Sequence, residues 1–194
     1  MPENDKHKRE DRLREITIGK PTRINGQIAL EDYNPEWPRI FAALAEEIRA
    51  GLGDRALALE HVGSTSVYGL AAKPVIDIHL VVADSSDEPA YVPPLERIGY
   101  VLRIRETKWH RHRLLERHHP EVNLHVFPEN CRETGRVLLF RDWLRMNDGD
   151  RLLYENTKRS LASRTWSYVQ EYAEAKSEVV EAILARARAA KLKT

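Results

Sequence analysis

Read for spacing alone, the apolar residues divide this chain into a start with little to bury, a middle of mixed periods and a helical end. Residues 1–15 are a mixed-charge run that reads as a disordered tail, with a frayed surface helix as the alternative. Residues 16–33 alternate weakly around Ile16, Ile18, Ile24, Ile28 and Leu30, and Asn25-Gly26 predicts a turn closing a short hairpin. Asn34-Pro35 then offers a cap followed by proline at a first helical position. Trp37, Ile40, Phe41, Leu44, Ile48 and Leu52 follow at helical spacing, and Gly51 or Gly53 ends that helix. Trp37 belongs to the core.

Residues 56–62 read as a strand, and 75–82 are β-branched enough for a strand buried on both faces. Pro89, Pro93 and Pro94 predict a poor or broken helix before Ile98. A strand over 101–104 comes next, then a hairpin of 109–115 with 121–127 turning at His118-His119-Pro120. From Arg132 onward the period is helical, over 133–147, 149–163 and 168–190. Mixed early strands with late helices predict an α+β domain over 16–194, whose sheet of about five strands is closed by a C-terminal helical bundle.

Composition narrows the function. With 31 basic and 30 acidic residues the net charge is +1, so nucleic acid is not a favoured partner and any polyanion site must be local. Cys131 is the only cysteine, which excludes an intrachain disulfide and a cysteine-based zinc site. No apolar run is long enough for a membrane span, and the N-terminus lacks the apolar region of a secretion signal, so a cytoplasmic location is expected.

The chemistry gathers at residues 61–82. Gly63, Ser64, Thr65 and Ser66 suit a turn whose N–H groups and hydroxyls converge on an anion, although a plain helix cap has the same composition. Asp77 is set among Ile76, Ile78, Leu80, Val81 and Val82, so its ionised form needs a metal or a basic partner. The structural alternative is a salt bridge to Lys73 or to an arginine of the late helices. Strand alternation puts His79 on the face of Asp77. It also puts Glu121, Asn123, His125 and Phe127 on one face of a neighbouring strand. Between Arg103 and His119, six basic residues stand against Glu106 and Glu116, a solvated hairpin face or else the rim of a polyanion site.

A Gly-Ser pair, twelve intervening residues and then Asp77-Ile78-His79-Leu80 resembles the signature of the DNA polymerase beta-like nucleotidyltransferases. More narrowly, residues 61–77 resemble the GrpB family motif, supported by Asn34-Pro35-Glu36-Trp37, Asn123-Leu124-His125-Val126-Phe127, the segment 139–145 and Tyr172-Ala173-Glu174-Ala175-Lys176. That resemblance implies a nucleotidyltransferase-like fold and transfer of a nucleotidyl group from an NTP, or binding of another phosphorylated small molecule. Gly63, Ser64, Thr65, Ser66, Arg113 and Arg141 would then bind phosphate, with Lys73 and Asp77 catalytic. Asp77, His79, Glu121 and His125 would hold a divalent cation, magnesium or manganese. His79 stands where the superfamily has a carboxylate, which leaves open a single magnesium, a softer metal such as zinc, or loss of metal-dependent catalysis. GrpB-like domains also resemble a segment fused to dephospho-CoA kinase, which implies a non-catalytic binding or folding-support module instead.

Overall fold

The computed structural model describes residues 3–21 and 23–192, with backbone alone for 3–6, 8, 9, 24 and 25. Helix α1 (Glu3–Ile16), strand β1 (Arg23–Gly26) and helix α2 (Trp37–Leu52) open the chain. Strand β2 (Ala58–Val62) runs into a 3-10 turn at Ser64–Ser66, and strand β3 (Ile76–Val82) follows. Next come α3 (Glu88–Arg97), β4 (Val101–Glu106), β5 (His112–His118) and β6 (Glu121–Pro128). The helical end is α4 (Arg132–Met146), α5 (Asp148–Ala162), a short β7 (Trp166–Tyr168), α6 (Val169–Glu174) and α7 (Ser177–Lys191).

Five strands make one mixed sheet in the order β2-β3-β6-β5-β4, the α+β arrangement that the spacing predicts. β3 and β6 are parallel, with Asp77 opposite Asn123 and His79 opposite His125. β2 flanks β3 antiparallel, and β5 flanks β6 antiparallel. Alternation sends Ile76, Ile78, Leu80 and Val82 into the main core with Trp37, Ile48 and Leu52 of α2 and Leu95 of α3. Asp77 and His79 therefore face the other way, toward α4, α5 and α7. A second apolar cluster there joins Val67 and Leu70 to Leu144, Tyr154 and Ile183.

Four expectations give way to tertiary contacts. The N-terminal tail is helix α1, anchored by buried Leu13 and an Arg12–Glu106 ion pair at 3.6 Å. A charge run with one apolar anchor folds against a sheet edge where it would not fold alone. Residues 16–33 form no hairpin; β1 pairs antiparallel with β7. Helix α3 persists through Pro93 and Pro94 because Tyr91, Val92, Pro94 and Leu95 are buried. The long helix over 168–190 is three elements, interrupted at Ala175 and Lys176.

Candidate active site

The site begins with a close approach of backbone to side chain. Gly63 ends β2 at φ +67°, and a Cβ there would stand 2.2 Å from Asp77 Oδ2. Only glycine tolerates both that conformation and that contact. The turn behind it is closed by Ser66 Oγ, which donates to the Gly63 carbonyl at 2.7 Å, and by Thr65 Oγ1, which donates to the Val75 carbonyl at 3.2 Å. Arg145 adds two N–H groups to the Ser66 carbonyl at 2.9 and 3.1 Å, tying the turn to α4.

Asp77 is 28% exposed. Its Oδ1 accepts from the Asn123 amide at 2.9 Å and lies 3.9 Å from His125 Nε2. Burial alone would raise this carboxyl. His125, the Asn123 amide and the charge of Lys176 outweigh that and hold it below the ordinary carboxylate range. Among the described residues no arginine pairs with it.

Two hollows meet at Asp77. The larger, about 340 Å³, is lined by Lys73, Lys158 and Lys176 together with Asn123, His125 and Tyr172. Asp77 is the single carboxylate in that lining. Burial depresses all three lysines, Lys158 to about 7 and Lys176 to about 8, while the charge of Asp77 pulls Lys73 and Lys176 back upward. Lys158 is 2% exposed, and its ammonium donates to the Ala71 carbonyl and lies 5.0 Å from the Tyr154 ring centroid. The buried Tyr172 hydroxyl, in the same lining, has no hydrogen-bond partner among the described residues. Three desolvated amines line a hollow that holds one acid, the chemistry of an anion site. The smaller hollow, about 220 Å³, lies between Gly63, Ser64 and α4.

The structure separates residues that the sequence grouped. Gly63, Ser64, Thr65, Lys73, Asp77 and His125 border the two hollows, whereas Ser66 turns its hydroxyl back onto Gly63. His79 shares Asp77's face, but its ring is 1% exposed, stacks on Phe127 at 4.6 Å and bonds Thr134 Oγ1 at 2.8 Å. Glu121 sits at the exposed start of β6 beside His118 Nδ1 at 3.3 Å. The four expected metal ligands therefore do not converge, and no group of three or more His, Cys, Asp or Glu among the described residues could hold a metal. Arg113 lies on the opposite face, clamped to Glu88 at 2.6 Å. Arg141 borders the smaller hollow, yet its N–H groups go to Glu60 at 2.7 Å, the His61 carbonyl at 3.0 Å and Asp142 at 2.7 Å.

Comparison with known proteins agrees with the motif. A family model described as GrpB protein matches residues 27–186. The chain belongs to the GrpB family. UPF0157 protein BH1888 of Halalkalibacterium halodurans is 50% identical over 186 residues, covering 96% of this chain and 95% of that one. The crystal structure of the GrpB protein from Enterococcus faecalis superposes with a TM-score of 0.72 at 30% identity, covering 82% of this chain and 96% of that one. The dephospho-CoA kinase of Mycolicibacterium paratuberculosis is 29% identical over 172 residues, covering 75% of this chain and 42% of the kinase.

In this GrpB chain, the sequence put Asn123 on the site face and matched Lys158 and Lys176 to polar positions of the family, but gave none of the three a role in the site. For Lys158 the helical pattern adds a local signal. Lys158 follows Tyr154 by four residues and precedes Leu161 by three, a lysine on the apolar stripe of an amphipathic helix.

Proposed function

We propose that this GrpB-family protein binds a nucleoside triphosphate beside Asp77 and transfers its nucleotidyl group to a hydroxyl acceptor, releasing pyrophosphate. The observation that carries the reading is the hollow lined by three desolvated lysines and a single, acidified carboxylate. Lys73, Lys158 and Lys176 hold the phosphate oxygens as point charges. Asp77 stays ionised at neutral pH and, with His125, offers two donors to a divalent cation. Two protein donors with open positions suit a cation completed by substrate phosphates and water, and the imidazole favours manganese over magnesium. A cation bound there would offset phosphate charge and acidify the attacking hydroxyl. In the transfer, the acceptor oxygen bonds to the α-phosphorus as the bond to the bridging oxygen of pyrophosphate breaks, and the hydroxyl proton leaves to solvent.

The test is pyrophosphate release by the wild type and by Asp77→Asn, scored alongside thermal shifts with each NTP and Mn²⁺. Saturating ligand at a hundredfold over Kd adds about 2.7 kcal/mol of stability. Release that persists in Asp77→Asn overturns the assignment of Asp77.

A second reading rests on His79, buried and hydrogen-bonded where the resemblance leads one to expect a second carboxylate. In it the same hollow binds a phosphorylated ligand without turnover, as a module of the kind found alongside the dephospho-CoA kinase relatives. Triphosphate-induced stabilisation with no pyrophosphate release selects it.

A further inference from the structure

The two hollows that meet at Asp77 differ in whether their cations are already paired. Among the described residues no ion pair engages Lys73, Lys158 or Lys176, and their hollow holds one acid. In the smaller hollow Arg136 and Arg141 are both neutralised. Arg136 bonds Glu133 at 2.9 Å and Glu181 at 2.5 Å, and Arg141 bonds Glu60 and Asp142, each at 2.7 Å. With Lys176 and Asp77 common to both linings, the smaller hollow has no further positive charge left to draw a phosphate. A guanidinium whose N–H groups are engaged in its plane still offers its flat faces to a ring.

Size and walls agree with the charges. At about 220 Å³ the smaller hollow falls below the roughly 300–1,000 Å³ of a complete small-molecule site, so it suits one end of a ligand. It shares Ser64, Asp77 and Lys176 with the lysine hollow, and a ligand held in one continues past Asp77 into the other. Its apolar walls are Val67 behind the turn, Val137, Phe140 and Leu144 of α4, and Val180 of α7. Val67 and Leu144 are each 1% exposed, and the Phe140 ring stands edge-on to Tyr154 at 5.2 Å, so packing fixes this surface.

We propose that the smaller hollow is the nucleobase slot of the triphosphate site. The base lies among Val137, Phe140 and Val180, the α-phosphate beside Asp77, and the β- and γ-phosphates in the lysine hollow. A nucleotide has two ends that differ in the same way, one polyanionic and one flat with apolar faces. Stacking on apolar, aromatic and guanidinium surfaces reads the face of a base, whichever base it is. The inference rests on the triphosphate reading for the phosphate end, and it places the other half of that ligand.

The experiment is calorimetric titration of the full-length protein with ATP and, separately, with inorganic tripolyphosphate, which carries the phosphates and no base. Val137→Phe and Val180→Phe each put a ring into the slot and leave every lysine in place. Both are expected to weaken ATP binding about 10- to 100-fold, the worth of a stacked base, and to keep tripolyphosphate within about twofold of wild type. Retained tripolyphosphate binding also shows that the variant has folded. In the wild type, nuclear Overhauser contacts are expected between the adenine ring protons of bound ATP and the methyl groups of Val137 or Val180. Those contacts missing, or ATP and tripolyphosphate affected alike in both variants, overturns the slot. Tripolyphosphate bound by the wild type in that case leaves the phosphate site standing, whereas a wild type that binds neither ligand overturns the triphosphate reading and the slot together.

Discussion

Lys158→Met should make the protein more stable and unable to bind triphosphate. Burial lowers the Lys158 pKa from 10.5 to about 7. At about 1.4 kcal/mol per unit, holding that ammonium in the fold costs about 4–5 kcal/mol at pH values below 7. The sign follows from proton counts. Between about 7 and 10.5 the unfolded chain holds the proton and the folded chain does not, so wild-type stability rises with pH across that window. Methionine keeps the apolar stem but loses the hydrogen bond to the Ala71 carbonyl and the contact with the Tyr154 ring. Those losses of about 1 kcal/mol each leave a net gain of about 2–3 kcal/mol at pH 7. For a chain of this size that is a rise in Tm of roughly 4–12 °C. Urea unfolding at pH 7 and pH 10 provides the assay, and the variant's advantage should be nearly gone at the higher pH. A variant no more stable than wild type at pH 7, with the difference unchanged at pH 10, would refute the reasoning. The ammonium would then be adequately solvated or paired, and the lysine hollow would lose its claim to need an anion.

Gly63→Ala places a methyl group 2.2 Å from Asp77 Oδ2 at φ +67°, and should cost about 2–4 kcal/mol and displace the carboxylate. Thermal unfolding checks it, and a wild-type melt would disprove the close approach. His79→Asp, which puts an acid where the sequence resemblance leads one to expect it, should lose about 3–5 kcal/mol and gain no Mn²⁺ affinity, because the residue is 1% exposed between Phe127 and Thr134. A stable variant with tighter Mn²⁺ binding would return that position to the metal site. Arg113→Met breaks the clamp on Glu88 and should cost about 3–5 kcal/mol while leaving triphosphate affinity intact. Binding lost at unchanged stability would place Arg113 in the site after all.

Much of the sheet was legible because strand and helix periods are local. The stripe from Trp37 to Leu52 and the β-branched run around Asp77 each declare a period and a buried face without reference to the rest of the chain. Alternation likewise put Asp77, His79, Asn123 and His125 on one face, and the β3–β6 register sets Asp77 against Asn123 and His79 against His125. The hairpin assigned to residues 16–33 failed for the complementary reason. A four-residue strand has too little pattern to name its partner, and β1 finds β7 across more than a hundred residues.

Within the site the division is sharper. Glycine before the turn and an acid in an apolar strand are properties of single positions, so the sequence alone pointed to them. Whether a polar side chain on the correct face enters the hollow depends on what packs beside it. Thr134 of α4 draws the His79 ring away, Glu88 of α3 holds Arg113 on the far face, and Glu60 engages Arg141. Lys158 of α5 and Lys176, in the break before α7, join Asp77 in the lining of one hollow from more than seventy residues later in the chain. No local period encodes that meeting. It is produced when the apolar faces of α5 and α7 are buried against the turn after β2, carrying their amines into a space with one carboxylate.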